Sequence, residues 1–183
     1  MNDGEIDSKS ASIGIAKTFL IGLAAGFAAT AVKTLCEVIS PPRAPGVPSP
    51  LGNAIDAVAM LTTGHPLPEA TKTWAEPLVH FLFGMGAGVV YALLVRNIPL
   101  VRLGYGALCG IGFWLFAHEF LLPLMHISPT PAQMTLWAQG NEFVSHIFCG
   151  IWLEFARRFA CRHLAWGRLL TVWAGCGRGR VMR

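Results

Sequence analysis

At 183 residues, with 54% hydrophobic and only 13% charged residues, the chain carries about half the charge of a soluble domain, for which roughly 25% is usual. Its mean hydropathy of +0.52 excludes a soluble or disordered chain, and the length suits one domain. The net charge of +4 does not signal nucleic acid, because most basic residues stand beside apolar runs, where a membrane accounts for them.

Taken in order, apolar runs of the length needed to cross a hydrocarbon core of ~30 Å, about 20 residues each, lie at 16–39, 76–96, 103–125 and 142–160. The expected fold class is all-α: a four-helix transmembrane bundle with short interfacial helices in the outer loops. Residues 1–183 form a single membrane domain, of which 161–183 is a basic amphipathic C-terminal tail.

Lys9 and Lys17 precede the first run. The residues Ala29-Thr30-Ala31 resemble an export cleavage site, but Asp3, Glu5 and Asp7 spoil the basic start that an export signal needs, and the helical pattern runs on past the site. From Pro41 to Pro50 five prolines make a stiff stretch that cannot be helix. Asn53 then offers a cap, Ile55, Val58 and Leu61 share a face, and Gly64 with Pro66 supplies a stop, so a short helix is expected.

Arg96 and Arg102 flank the connection between the second and third runs. After the third run Thr130, Pro131 and Gln133 form a T-x-x-Q capping box that predicts a second short helix ending at Gly140. The last run is followed by Arg157, Arg158, Arg162, Arg168, Arg178, Arg180 and Arg183. The positive-inside rule then places both termini in the cytoplasm, with Trp74 and Trp137 in the outer aromatic belt and Trp166 and Trp173 in the inner one. Beyond Arg162, the stripe Trp166, Leu169, Leu170 and Trp173 predicts a helix lying on anionic lipid headgroups.

Each run carries a stripe that mixes small residues with ionisable ones: Gly22, Gly26, Ala29, Lys33 and Glu37; His80, Gly84 and Gly88; Gly106, Gly110, Trp114 and His118; Glu142, His146, Gly150 and Glu154. Small residues let membrane helices approach closely, so the stripes should face inward, and they also offer faces on which a homo-oligomer could build. With alternate runs antiparallel, Lys33, His80, His118 and His146 fall at one level, roughly 5 to 11 Å below the outer interface. Glu37 and Glu142 sit just above them, Glu119 is adjacent but about 100° round its helix, and Glu154 lies nearer the cytoplasm with Arg157 and Arg158. Each such residue costs on the order of 2.5 to 3.5 kcal/mol to insert. Lys33 and Glu37 can pair at i,i+4, although in the weaker order, so a partner on another helix is expected.

The segment V-K-x-x-x-E-x-x-x-P-P-R (Val32, Lys33, Glu37, Pro41, Pro42, Arg43) resembles the YagU-like family of bacterial inner membrane proteins. His118 followed by Pro123-Leu124-Met125, Ile127, Ser128, Pro129 and Pro131 is similar to that family's third span and loop, and NEFVSHIFCGIWLEFARR to its last span. The likeness covers roughly residues 20 to 160 on the same span reading. It implies a four-span inner membrane protein of no established activity, loosely associated with acid tolerance, with Lys33, Glu37, Arg43, His80, His118 and Glu154 matching its pattern. His146 stands where an acidic residue would be expected.

These residues admit several functions. Histidines titrating near pH 6.5 when unperturbed would make the layer a proton sensor; the alternatives are interhelical glue in a scaffold, or a small-solute or metal transporter or channel. As metal ligands His80, His118 and His146 are the runner-up reading, opposed by Lys33 at the same depth. No enzyme is expected. Cys149 and His146 share a face, but no oxyanion donor accompanies them, and Cys36, Cys109, Cys149, Cys161 and Cys176 contain no C-x-x-C pair. No cofactor is expected; the partners are the bilayer and anionic headgroups at the tail.

Overall fold

The computed structural model describes the backbone of residues 3–176 and the side chains of residues 14–162. Among these all regular structure is helical, without strands: α1 (Asp3–Ile39), α2 (Pro50–Thr63), α3 (Glu69–Asn97), α4 (Ala107–Trp114), α5 (Leu122–Leu124) and α6 (Leu136–Cys176), with tighter or wider helical turns and irregular loops between them. Three segments are long and apolar enough to cross a membrane, Gly14–Ile39, Glu69–Asn97 and Pro99–Leu124. The fourth run lies within α6, where Glu142, Glu154, Arg157 and Arg158 interrupt the apolar stretch, and the described part of α6 does not reach that mark.

Helix α1 stops at Ile39 because Pro41 and Pro42 cannot continue it. Helix α2 forms as expected, but Asn53 is not its cap. Ser49, extended at φ −74° and ψ 150°, accepts the Gly52 N–H on its Oγ at 2.8 Å, and Pro50 takes the first helical position. Asn53 lies inside the helix and its Nδ2 donates to the Ile127 carbonyl at 2.9 Å, fastening α2 to a distant loop. Gly64, left-handed at φ +80°, ends the helix as expected.

The third run departs from the straight span expected at 103–125. Pro99–Gly106 is a 3₁₀ stretch broken by left-handed Gly104 and Tyr105, α4 follows, and Leu115–Leu121 winds as a π-helix before α5. Pro123 has no N–H to offer the carbonyl one turn back, at Glu119, and a wider turn accommodates the mismatch. The helix expected to end at Gly140 is also different. Only one 3₁₀ turn, Pro131–Gln133, follows the Thr130 box, in which the Thr130 N–H donates to Gln133 Oε1 at 2.9 Å. Thr135 Oγ then accepts the Ala138 N–H at 3.1 Å, so α6 has already begun and Gly140 lies within it. The α6 backbone continues without a break to Cys176; the stripe Trp166, Leu169, Leu170 and Trp173, with the tail of 161–183 beyond Arg162, lies outside the described side chains.

Helix α1 packs against α3 and α6, and α4 packs against α6. Close approach needs residues without side chains. A Cβ on Gly22 would stand 2.5 Å from the Val89 Cα, one on Gly88 2.6 Å from the Gly26 Cα, and one on Gly150 3.0 Å from the Gly110 Cα. The α1–α3 and α4–α6 pairs are thus backbone-to-backbone contacts. Ala25, Ala29, Tyr91, Val95 and Leu153 fill the space where α1, α3 and α6 meet. Large apolar side chains such as Phe19, Phe83, Phe116 and Phe155 point outward, as lipid-facing positions do.

Candidate functional site

Glu142, in the first turns of α6, is 1% exposed and is the centre of the site. Four groups surround its carboxylate. Lys33 of α1 approaches Oε2 at 3.2 Å, and Arg43, from the Pro-rich loop, approaches Oε1 at 2.6 Å. His118 Nε2 and His146 Nδ1 stand 3.7 and 3.8 Å from Oε2. Lys33 also pairs with Glu37 one turn along α1, so the buried lysine has both a local and an interhelical carboxylate.

Each neighbour is set by local structure. The π-turn rotates His118 relative to a regular helix and carries it to α6, where its ring meets that of His146 edge-on, centroids 4.9 Å apart. His146 is oriented by its own helix, with Nδ1 2.7 Å from the Glu142 carbonyl oxygen, and Phe113 stacks on its ring at 5.8 Å. Arg43 is held by a short stiff approach. Asn141 Nδ2 donates to the Ser40 carbonyl at 2.8 Å and Trp137 Nε1 to the Pro41 carbonyl at 3.1 Å, which pins the loop onto α6 beside Glu142.

The structure therefore brings Lys33, Glu37, His118, Glu142 and His146 together, and adds Arg43. His80 stands at the edge, its Nδ1 3.5 Å from the Thr34 hydroxyl. Glu119 takes no part; among the described residues it makes no ion pair or hydrogen bond to the cluster. The sequence marks Arg43 only through the family resemblance, since nothing in its spacing points to Glu142. The signal was the pair of prolines before it, which limits how far its side chain can stray.

With neutral imidazoles the two cations and two carboxylates cancel, so the cluster is electroneutral while holding two uncharged proton acceptors. As a metal set, His118, Glu142 and His146 place one donor atom each within 4.8 Å of one another. His80, the third ligand of the sequence reading, is not among them, and Glu142 takes its place. Lys33 and Arg43 already occupy both carboxylate oxygens, which opposes a further cation.

A second buried carboxylate lies twelve residues further along α6. Glu154 is 0% exposed. Tyr91 Oη donates to it at 2.8 Å, Arg157 straddles both its oxygens at 2.7 and 2.9 Å, and Arg158 Nε approaches at 2.5 Å. Tyr91, buried on α3, was not foreseen; a tyrosine on the small-residue face of an apolar helix is the signal that could have found it. Cys149 packs against the core, apart from any pairing with His146.

Residues 27–155 match the model of a family described as protein of unknown function (DUF1440). No curated protein and no solved structure matches the chain.

Proposed function

Because the chain belongs to the DUF1440 family of proteins of unknown function, we propose a role from its geometry: the Glu142 cluster is a proton-responsive lock between the helices of a multi-pass inner membrane protein, and it serves acid tolerance. In this reading α6 is the fourth span of a transmembrane four-helix bundle, its buried charges facing the other helices instead of lipid. Both termini are cytoplasmic and the Pro-rich loops are periplasmic, in keeping with the arginines near 96–102 and beyond 157. The likeness to YagU-like proteins supports the same placement. The lock has no catalytic role.

The observation that carries the proposal is the Glu142 carboxylate clamped between Lys33, Arg43, His118 and His146. At neutral pH the pairs cancel and the loop bearing Arg43 is held down. Acid adds positive charge at His118 and His146, and at His80 nearby, against Lys33 and Arg43, which are already charged. Protonation of Glu142 removes the anion that holds the cations. Both steps push the same way, toward release of Arg43 and separation of the π-segment from α6. The π-turn supports a moving part, since such turns concentrate at functional sites in helices.

Survival of cells after an acid challenge tests the role. Cells lacking the protein and given the wild-type chain should survive better than cells given a His118→Gln, His146→Gln chain inserted at the same level. Equal survival would remove the acid-tolerance role.

A further inference from the structure

At the opposite end of the molecule a cavity of about 80 Å³ is lined by Tyr105, Phe155, Arg158, Phe159 and Arg162. It is far smaller than the roughly 300 to 1,000 Å³ of ordinary small-molecule sites, which leaves room for a compact tetrahedral group and little more. Among the described residues its charge is unbalanced. Arg157 alone spans both oxygens of Glu154, so the charge of Arg158 is surplus to that carboxylate, and Arg162 adds another. Among the described residues no acidic side chain pairs with Arg162, and Arg158 uses only Nε on Glu154, leaving its terminal nitrogens for another acceptor.

The backbone holds the cavity open in an unusual way. Tyr105 sits left-handed at φ +60°, a conformation that costs a non-glycine residue on the order of 1 to 3 kcal/mol and collects at ligand clamps. The result is a ring placed under the Arg158 guanidinium, 4.3 Å from its centre, which fixes that arginine over the cavity. Phe155 and Phe159 extend the wall, both more than half exposed.

We propose that this cavity binds the phosphate of an anionic phospholipid, with Arg158 and Arg162 on the phosphate oxygens and the acyl chains lying along Phe155 and Phe159. The proposal rests on the membrane-spanning reading but not on the proton lock. Phosphate is the chemistry that two clustered guanidinium groups recognise. A lipid is the source because the wall beside the arginines is exposed aromatic surface, and basic pockets beside membrane helices hold such headgroups.

Native mass spectrometry of the full chain released from nanodiscs tests it, counting retained phosphatidylglycerol against phosphatidylcholine. Wild type should keep phosphatidylglycerol in preference. Arg162→Gln should lower its retention about five-fold, the effect of removing one basic residue near a lipid surface, whereas Arg96→Gln should not. Tyr105→Gly relieves the backbone strain, so it should fold at least as well as wild type and still lose the preference. Equal retention of both lipids, or retention unchanged in Arg162→Gln, would overturn the site. Displacement by millimolar inorganic phosphate would overturn the lipid source. Each of these readouts is independent of His118 and His146, so failure here would leave the lock untouched.

Discussion

Arg43 and Glu142 are 99 positions apart in the chain, yet their side chains meet at 2.6 Å. One comes from the proline-rich loop after α1 and the other from the first turns of α6, and the contact closes the Pro-rich end of the molecule. It also makes Glu142 the common partner of two cations that originate on different segments.

Removing that partner should be severe. Glu142→Gln leaves Lys33 and Arg43 without their anion in a buried site, and breaking a buried pair from one side costs about 3 to 5 kcal/mol. Thermal unfolding in detergent should show the loss, and Lys33→Met added to Glu142→Gln should recover part of it. A double variant that loses the sum of the two single losses would mean the pair is not coupled.

The glycine contacts give a cleaner contrast. Gly88→Ala puts a Cβ 2.6 Å from the Gly26 Cα, backbone against backbone, whereas Gly86 and Gly112 have open space around theirs. Overpacking should cost Gly88→Ala about 1 to 3 kcal/mol, and the other two should stay within about 0.5 kcal/mol of wild type. If all three behave alike in an unfolding assay, α1 and α3 do not pack through these glycines.

Tyr91→Phe tests the second carboxylate. Glu154 keeps both arginines when the hydroxyl goes, so the loss should be about 1.5 kcal/mol, the low end for a hydrogen bond to a charged group. Glu154→Gln should cost several times more, because it frees Arg157 and Arg158 together. Denaturant unfolding that ranks the two variants in reverse would contradict the account.

Asp56 lies outside the membrane-spanning segments, and the hydrogen bond it accepts from Lys72, at 2.6 Å, holds its carboxyl below the usual carboxylate range. A depressed value in the folded state means that the contact contributes above the unfolded value, about 3.9, and is lost as pH falls below it. Amide protection across 50–67, the exchange rate relative to that of an unstructured chain at the same pH, should therefore be steady from pH 7 to about pH 4 and weaken below that. Asp56→Asn should exchange faster at neutral pH and show a flatter profile; a profile as steep as wild type would discard the role of Asp56.

Much of the layer was legible in the sequence because polar residues at three- and four-residue spacing in apolar runs leave few places to go. That Lys33, His118 and His146 come together followed from helix rise and alternating direction alone, and the glycine stripes told which faces meet. What escaped depends on backbone irregularity or long-range reach. Pro123 signalled a disturbance without saying that it would take the form of a π-turn around His118. Ser49 displaced Asn53 as the cap because Pro50 fits the first helical position better than any residue after it. Gly140, read as a stop, is carried inside α6 because Thr135 had already capped that helix. Arg43 and Tyr91 found their carboxylates through tertiary packing, which no local pattern encodes.

The most direct test of the lock is the distance between the Arg43 loop and α6 in acid. Spin labels at Ala44→Cys and Gln139→Cys, in a chain freed of its native cysteines and held in liposomes, report it by pulsed resonance. The account predicts a short, narrow distance at neutral pH that lengthens and broadens once acid charges the imidazoles, and that stays short in the His118→Gln, His146→Gln background at the same pH. A distance unchanged by acid in the wild-type chain, or one that lengthens equally with both histidines replaced, would contradict it.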